Sequence, residues 1–165
     1  MAVSANALGC DATLPDHVRI IDCQLRTAVE RAAGRSPTLS DLLQRAQRTD
    51  GFVYITPPPP AGTGERLSGG LSHAVSVAGS HRILRIFVSG QPDDKSMAVV
   101  GHELRHALEV LEQSTAASEA EVDALFDRIG WRISERIVET QAALDAGDAV
   151  ERELRASKGN SSGTR

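Results

Sequence analysis

The sequence predicts one α+β domain with N-terminal helices, a small, mostly antiparallel sheet, and a central helix backed by C-terminal helices. Three observations support this fold class. The chain has 165 residues, of which 41% are hydrophobic, enough for one domain with its own core. Segments with helical apolar spacing lie towards both ends, and β-branched segments lie between them. Aromatic residues make up only 3%, so Leu, Ile, Val and Ala must fill most of the core.

Two helices are predicted before the sheet. Apolar residues recur at helical spacing over residues 17–33, and Gly34 follows as a helix end. The chain breaks at Ser36-Pro37. Thr38 or Ser40 could then cap a short second helix, because their hydroxyls accept from the first free backbone amides.

The middle of the chain is predicted to form the sheet. Residues 52–55 are β-branched or aromatic, which is typical of a strand. The proline-rich segment 57–64 is predicted to be a surface loop, since proline cannot continue a helix or a central strand. Residues 71–78 alternate in polarity, and with residues 82–88 they are predicted to form a β-hairpin turning at Gly79-Ser80.

Three helical segments and a tail complete the predicted fold. A helix over residues 95–113 is followed by one over 118–129. A last helix is predicted over 133–146 and could resume after Gly147. The polar, Gly/Ser-rich segment 157–165 is predicted to be a disordered tail.

The domain is thus predicted to span residues 17–156, and residues 1–16 to be a flexible N-terminus or the remnant of a signal segment. Ala5-Asn6-Ala7 resembles the end of a signal peptide, but no basic and apolar regions precede it. We therefore expect a cytoplasmic protein for the chain as given, and an extracytoplasmic one if the gene start is truncated. A Cys10–Cys23 bridge is expected only in an exported protein.

The overall charge limits the classes of partner. A net charge of -4 argues against nucleic acid or an anionic membrane surface as the partner. No apolar run approaches the length of a membrane span. The sequence leaves the oligomeric state open.

Residues 101–109 contain the motif His-Glu-x-x-His within a helical pattern. The apolar stripe of this helix consists of Val100, Leu104, Ala107, Leu108 and Leu111. His102 and His106 lie one turn apart on a different face, so both imidazoles could bind one zinc ion. Glu103, about a quarter-turn round, could take a proton from water as general base. The alternative interpretation is a helix with two solvated histidines.

A catalytic zinc site needs a third protein ligand. Glu109 shares the histidine face, but its Cα lies roughly 7 Å beyond the midpoint of the two histidines along the helix axis. Glu109 is therefore predicted to orient His106 or to be a surface carboxylate. Glu139 is the preferred ligand, because flanking alanines would let its helix approach the histidine helix closely. If Glu139 instead faces solvent, Glu109 and Glu119 are the alternative third ligands.

The string Gly101-His102-Glu103-Leu104-x-His106-Ala107-x-Glu109, with Glu139-x-x-Ala142 later, resembles the gluzincin branch of the zinc metallopeptidases. The local string is also similar to a group of small, uncharacterised bacterial proteins that often carry export signals. The resemblance covers about residues 82–154. It implies a zincin-like domain in which His102, His106 and Glu139 bind one zinc ion and Glu103 is the general base.

Six further residues could act on a substrate, although ordinary packing or solvation would also explain them. Those that could hydrogen-bond a developing oxyanion are His73, His81 and Tyr54. Those that could bind a substrate carboxylate are Arg82, Arg85 and Arg105.

We therefore predict a zinc-dependent hydrolase, a metallopeptidase acting on a peptide or protein with Glu103 as general base. An edge strand of the sheet could hold an extended substrate through main-chain hydrogen bonds. The alternative is a catalytically inactive zincin-like binding or interaction module. The variant Glu103→Ala separates the two, because only an enzyme would lose activity while it keeps its metal.

Overall fold

A computed structural model describes residues 14, 16–58, 68–112, 116–134 and 137–160. The helices are α1 Cys23–Ala33, α2 Pro37–Gln47, α3 Asp94–Glu112, α4 Glu119–Ile129 and α5 Gln141–Asn160. The strands are β1 Val18–Ile20, β2 Gly51–Thr56, β3 Gly69–Leu71, β4 Ser76–Ala78, β5 His81–Val88, β6 Trp131–Arg132 and β7 Val138–Glu139. This arrangement confirms the predicted α+β class.

The main sheet is mixed, which corrects the prediction of a mostly antiparallel sheet. Its strand order is β1-β2-β5-β3, and β4 also pairs with β5. The β1–β2 and β2–β5 pairs are parallel, while β3 and β4 run antiparallel to β5. The parallel direction of β1 and β2 follows from the two-helix crossover between them. The predicted hairpin around Gly79-Ser80 is confirmed as β4–β5, although residues 72–75 interrupt the long first strand.

The first predicted helix begins later than expected. Val18 and Ile20 alternate with exposed neighbours and pair with β2, so they form a strand. Asp22 then caps α1 by accepting from the backbone amide of Leu25 at 2.8 Å. Ser36, rather than Thr38 or Ser40, caps α2.

One hydrophobic core lies between the sheet and the helices. Alternate residues along β2 and β5 are buried and the others are partly or fully exposed. The buried strand residues are Val18, Ile20, Val53, Ile55, Leu84, Ile86 and Val88. They join Leu39, Val100, Leu104 and Leu108 from the helices in the same cluster. Helix α3 therefore lies between the sheet and α5, and it carries its two histidines in its middle turns.

The C-terminal region differs from the predicted pair of helices. Gly130 ends α4, as expected, but a short β6–β7 ladder follows, in which Trp131 pairs with Glu139. A single helix α5 then runs through Gly147 to Asn160. Gly147 lies within this helix, and because a Cβ there would come 3.2 Å from the Cβ of His102, glycine allows α5 to approach α3 closely. Glu139 thus lies on β7, just before the helix on which it was expected.

Several predictions fall partly outside the described residues. The predicted N-terminal segment does so over residues 1–13, the proline-rich loop over 59–64 and the tail over 161–165. Cys23 begins α1 and is not a free thiol, whereas Cys10 lies in the undescribed part. Among the described helices, none is both long and apolar enough to cross a membrane.

Candidate metal centre

His102 and His106 project from one face of α3 towards the same point. Their ring centroids lie 4.8 Å apart, and the ring planes are nearly perpendicular, at 80°. His106 is buried, and the side chain of His102 keeps 20% of its exposure. The one-turn spacing in the sequence produces this pairing directly.

Glu139 brings a carboxylate to the two imidazoles. Its Oε1 lies 3.4 Å from Nε2 of His102 and 3.2 Å from Nε2 of His106. The backbone amide of Thr140 donates to the same Oε1 at 2.9 Å. A Cβ on Gly130 would lie 2.3 Å from the carbonyl oxygen of Glu139, so only glycine allows the end of α4 to approach β7 this closely.

These three residues could hold a metal ion, since their ligand atoms all lie within 4.8 Å of one another. The distances of 3.4 and 3.2 Å from Glu139 Oε1 to the two Nε2 atoms suit neighbouring ligands of one tetrahedral ion, because metal–ligand bonds of about 2.0–2.1 Å separate such ligands by about 3.3 Å. Imidazole nitrogens and a carboxylate oxygen are also donors that divalent transition-metal ions bind. His102, His106 and Glu139 therefore fit a metal ion in both distance and chemistry.

Glu109 holds the opposite edge of the His106 ring. Its Oε2 lies 3.0 Å from Nδ1 of His106, and its Oε1 accepts from the Thr140 hydroxyl at 2.8 Å. Glu109 thus lies beside His106, and it is not among the three residues whose ligand atoms lie together. Glu119, an alternative third ligand, is exposed on the first turn of α4 and does not join the group.

Burial and neighbouring carboxylates act in opposite directions on the two histidines. Burial lowers the pKa of His102, against the attraction of Glu139. Burial also opposes charge on His106, but the hydrogen bond with Glu109 and the nearby Glu103 and Glu139 raise its pKa overall. Three carboxylates around two imidazoles in a mostly buried site favour an added cation, which would offset their mutual repulsion.

Glu103 lies beside the ligand group and is itself buried. Burial raises the pKa of its carboxyl to about 7 in the metal-free protein. The positive charge of His106 and a hydrogen bond with the Leu71 backbone lower this pKa, whereas the negative charge of Glu139 raises it. Strand β3 packs tightly here, since a Cβ on Gly69 would lie 2.3 Å from Val99 Cγ1. A buried carboxyl with a pKa near neutrality is suited to accept and return a proton.

A cavity of about 410 Å³ opens over these residues. Its lining includes His102, Glu103, His106 and Glu139, with apolar walls formed by Leu71, Val99, Phe126, Val138 and Leu144. His73 lines it as well; its Nδ1 lies 2.7 Å from Asp123 Oδ1, and its ring stacks on Phe126 at 5.1 Å. The rings of Phe126 and His106 pack edge-to-face with their centroids 5.4 Å apart, so Phe126 contacts both His73 and a residue of the ligand group.

The other predicted substrate-binding residues do not line this cavity. The Tyr54 hydroxyl accepts from Arg19, and His81 contacts the backbone carbonyl of Asp50. Arg82 is buried at the C-terminal end of α3, where it donates to several backbone carbonyls. Arg85 on β5 and Arg105 on α3 are likewise absent from the lining.

Sequence reasoning missed several residues that complete the site. Asp123 and Phe126 hold His73, and Thr140 links Glu109 to the start of α5. Their spacing along the chain carries no recognisable motif. The Thr140-x-x-Ala143 cap is the one local signal, since threonine favours the residue before a helix.

Comparison with known proteins assigns no family to this arrangement. No family model, no curated protein and no solved structure matches the chain. The function must therefore be argued from the residues and distances of the site.

Proposed function

We propose that the protein is a zinc-dependent hydrolase that cleaves peptide bonds, and that it is gluzincin-like in its ligand set. One observation carries the proposal. Two imidazole Nε2 atoms and one carboxylate oxygen converge at the spacing of a tetrahedral zinc site, with the buried Glu103 beside them in the same cavity. His102, His106 and Glu139 would hold the ion and leave a position open to the cavity.

A bound zinc ion would polarise the substrate carbonyl and lower the pKa of water. Glu103 would take the proton of the attacking water at its carboxylate and deliver it to the departing amine. Its burial supports this role, because a raised pKa makes the carboxylate a stronger base than an exposed glutamate.

His73 is the best-placed residue to contact the reacting carbonyl from the other wall. Its Nδ1 is held by Asp123, and its Nε2 makes no hydrogen bond within the described residues. Because Asp123 accepts from Nδ1, Nε2 carries a hydrogen only in the imidazolium form of His73, and that N–H, directed at developing negative charge, would stabilise the transition state. This role was one of the expectations for His73 from the sequence.

Strand β3 supports a peptide as the substrate. It pairs only with β5 among the described strands, so no described strand covers its other edge, and Gly69, Gly70 and Leu71 line the cavity. An extended peptide could add to this edge by main-chain hydrogen bonds. The scissile bond would then lie over Glu103 and the histidines.

The first test is the zinc content of the purified protein by elemental analysis, beside His106→Ala, Glu139→Ala and the control Glu119→Ala. We expect one zinc per chain in the wild type and the control, and loss in the other two. Loss only in His106→Ala would exclude Glu139 as a ligand. No zinc in the wild type after reconstitution would refute the proposal.

Activity is tested separately with a peptide library and the variant Glu103→Gln. We expect cleavage by the zinc-loaded wild type, and loss of cleavage with full zinc content in the variant. Stoichiometric zinc without any cleavage would favour the alternative, a zincin-like binding module that has kept its metal.

A further inference from the structure

Thr140 connects the ligand helix α3 to the start of α5 through its hydroxyl group. The backbone amide of Ala143 donates to Thr140 Oγ1 at 3.1 Å, and Thr140 Oγ1 donates to Glu109 Oε1 at 2.8 Å. Glu109 Oε2 in turn lies 3.0 Å from Nδ1 of His106. Thr140 and Glu109 are both buried, with residue exposures of only 2% each.

The directions of these three hydrogen bonds are fixed by the backbone N–H of Ala143, which can only donate, and by the Glu109 carboxylate, which can only accept. A backbone N–H can only donate, so the Thr140 oxygen accepts from Ala143, and its own hydrogen is directed to Glu109. The Glu109 carboxylate can only accept, so the proton between it and His106 belongs to Nδ1. In the neutral imidazole, which is the form that binds metal, Nε2 of His106 is then the nitrogen with the lone pair, and it is the nitrogen that faces Glu139.

We infer that Thr140 is a positioning residue for the metal centre, acting through Glu109 on His106. The inference rests on the proposed metal site. Thr140 fixes the orientation of the Glu109 carboxylate, and Glu109 fixes the proton of His106 on Nδ1 so that Nε2 can bind metal. Thr140 also donates its backbone amide to the ligand Glu139, so one residue aligns ligands from two separate elements.

The test is the zinc affinity of Thr140→Val, measured by competition with a chromophoric chelator. Valine keeps the shape but removes the hydroxyl, which leaves Glu109 Oε1 without its buried donor. We expect affinity to fall by about 10–100-fold, the usual effect of losing such a supporting contact. Thr140→Ser keeps the hydroxyl and should bind zinc within about threefold of the wild type, since its contact survives.

Thr38→Val is the matched control. Thr38 also donates its hydroxyl to a glutamate, Glu153 Oε1, at 2.7 Å, but on α2 and away from the cavity. We expect this variant to lose some stability and to keep its zinc affinity. Equal affinities for Thr140→Val and the wild type, or equal losses in Thr38→Val and Thr140→Val, would overturn the inference.

A second measurement does not depend on the folding of any variant. Long-range ¹H–¹⁵N spectra of the zinc-loaded wild type should show a proton on Nδ1 of His106 and the metal on Nε2. Metal on Nδ1 would overturn the inference even if zinc binds stoichiometrically. A wild type that binds no zinc would instead refute the proposed function, so the two failures are distinguishable.

Discussion

Replacing Glu103 with glutamine should stabilise the metal-free protein above neutral pH. Burial raises the pKa of Glu103 from 4.5 to about 7, so between these values the folded protein holds a proton that the unfolded chain has lost. The free energy of unfolding therefore falls as the pH rises, by about 1.4 kcal/mol per pH unit and roughly 3 kcal/mol over the interval. Glutamine has the same shape and no charge, so the variant avoids this loss.

The assay is urea unfolding of both proteins in the presence of a chelator, from pH 4 to pH 8.5. Below pH 4.5 the two stabilities should agree, because the wild-type carboxyl is then neutral in both states. Above pH 7 the variant should be more stable by about 3 kcal/mol. The control Glu119→Gln changes an exposed carboxylate and should follow the wild type at every pH.

Glu103→Gln should lower peptide hydrolysis although it raises the stability of the metal-free protein. With zinc bound, Glu103→Gln should lower peptide hydrolysis by about 10²–10⁴-fold, the usual contribution of a general base. Equal stability of the variant and the wild type at pH 8 would refute the assignment of Glu103 as a buried carboxyl with a raised pKa. A stability gain without any activity loss would refute its catalytic role alone.

Three further predictions concern the scaffold. Gly101→Ala should lower the free energy of unfolding by about 1–2 kcal/mol, because the new Cβ would lie 2.7 Å from Val150 Cγ2. Val150→Ala should relieve this loss in a double-mutant cycle, and strict additivity would contradict the contact. Arg82→Gln should lower the free energy of unfolding, measured in urea, by about 3 kcal/mol, because it removes a buried guanidinium from the last carbonyls of α3 and from Asp50. A decrease of less than about 1 kcal/mol would contradict this capping role. Burial raises the pKa of Glu153, but its hydrogen bonds outweigh burial and lower the pKa overall. The stability that the ionised Glu153 gives to the fold should therefore be present above about pH 4.5 and be lost as the pH falls through the pKa of the folded state. Glu153→Gln should therefore weaken the pH dependence of stability in this acid range, and an unchanged pH profile would be evidence against it.

The central helix could be predicted because its signals are local. The apolar stripe and the two histidines share one helical period, and the structure confirms a helix over Asp94–Glu112 with both imidazoles on one side. The contact between Glu109 and His106 also follows from their three-residue spacing. Periodicity alone was therefore enough to place the most informative part of the site.

The surroundings of Glu139 could not be predicted in the same way. Ile133, Ile137 and Val138 repeat at roughly helical spacing, which concealed a ladder with only two paired residues on each strand. Ala143 is fully buried, but the alanines that were expected to flank the ligand on its own helix belong to the helix that follows it. Short ladders depend on tertiary contacts such as that of Gly130, and these leave no periodic signal.

Parallel pairing was missed for a related reason. Residues 18–20 contain too few positions to separate alternation from a helical pattern, and their strand character depends on pairing with β2. The β2–β5 pair joins segments whose order in the sheet is not encoded in either segment. Strand direction is a property of the whole topology, which a single sequence does not reveal.

The distribution of the ligands along the chain has a consequence for the order of events during folding. His102 and His106 come together as soon as α3 forms, on the order of a microsecond, whereas Glu139 arrives only when β7 and α5 dock against that helix. A nascent chain would therefore offer a cation two nitrogens first and a carboxylate last. We expect uptake in two kinetic phases, a loose capture followed by closure, so that the ion is bound before the last part of the chain has found its place.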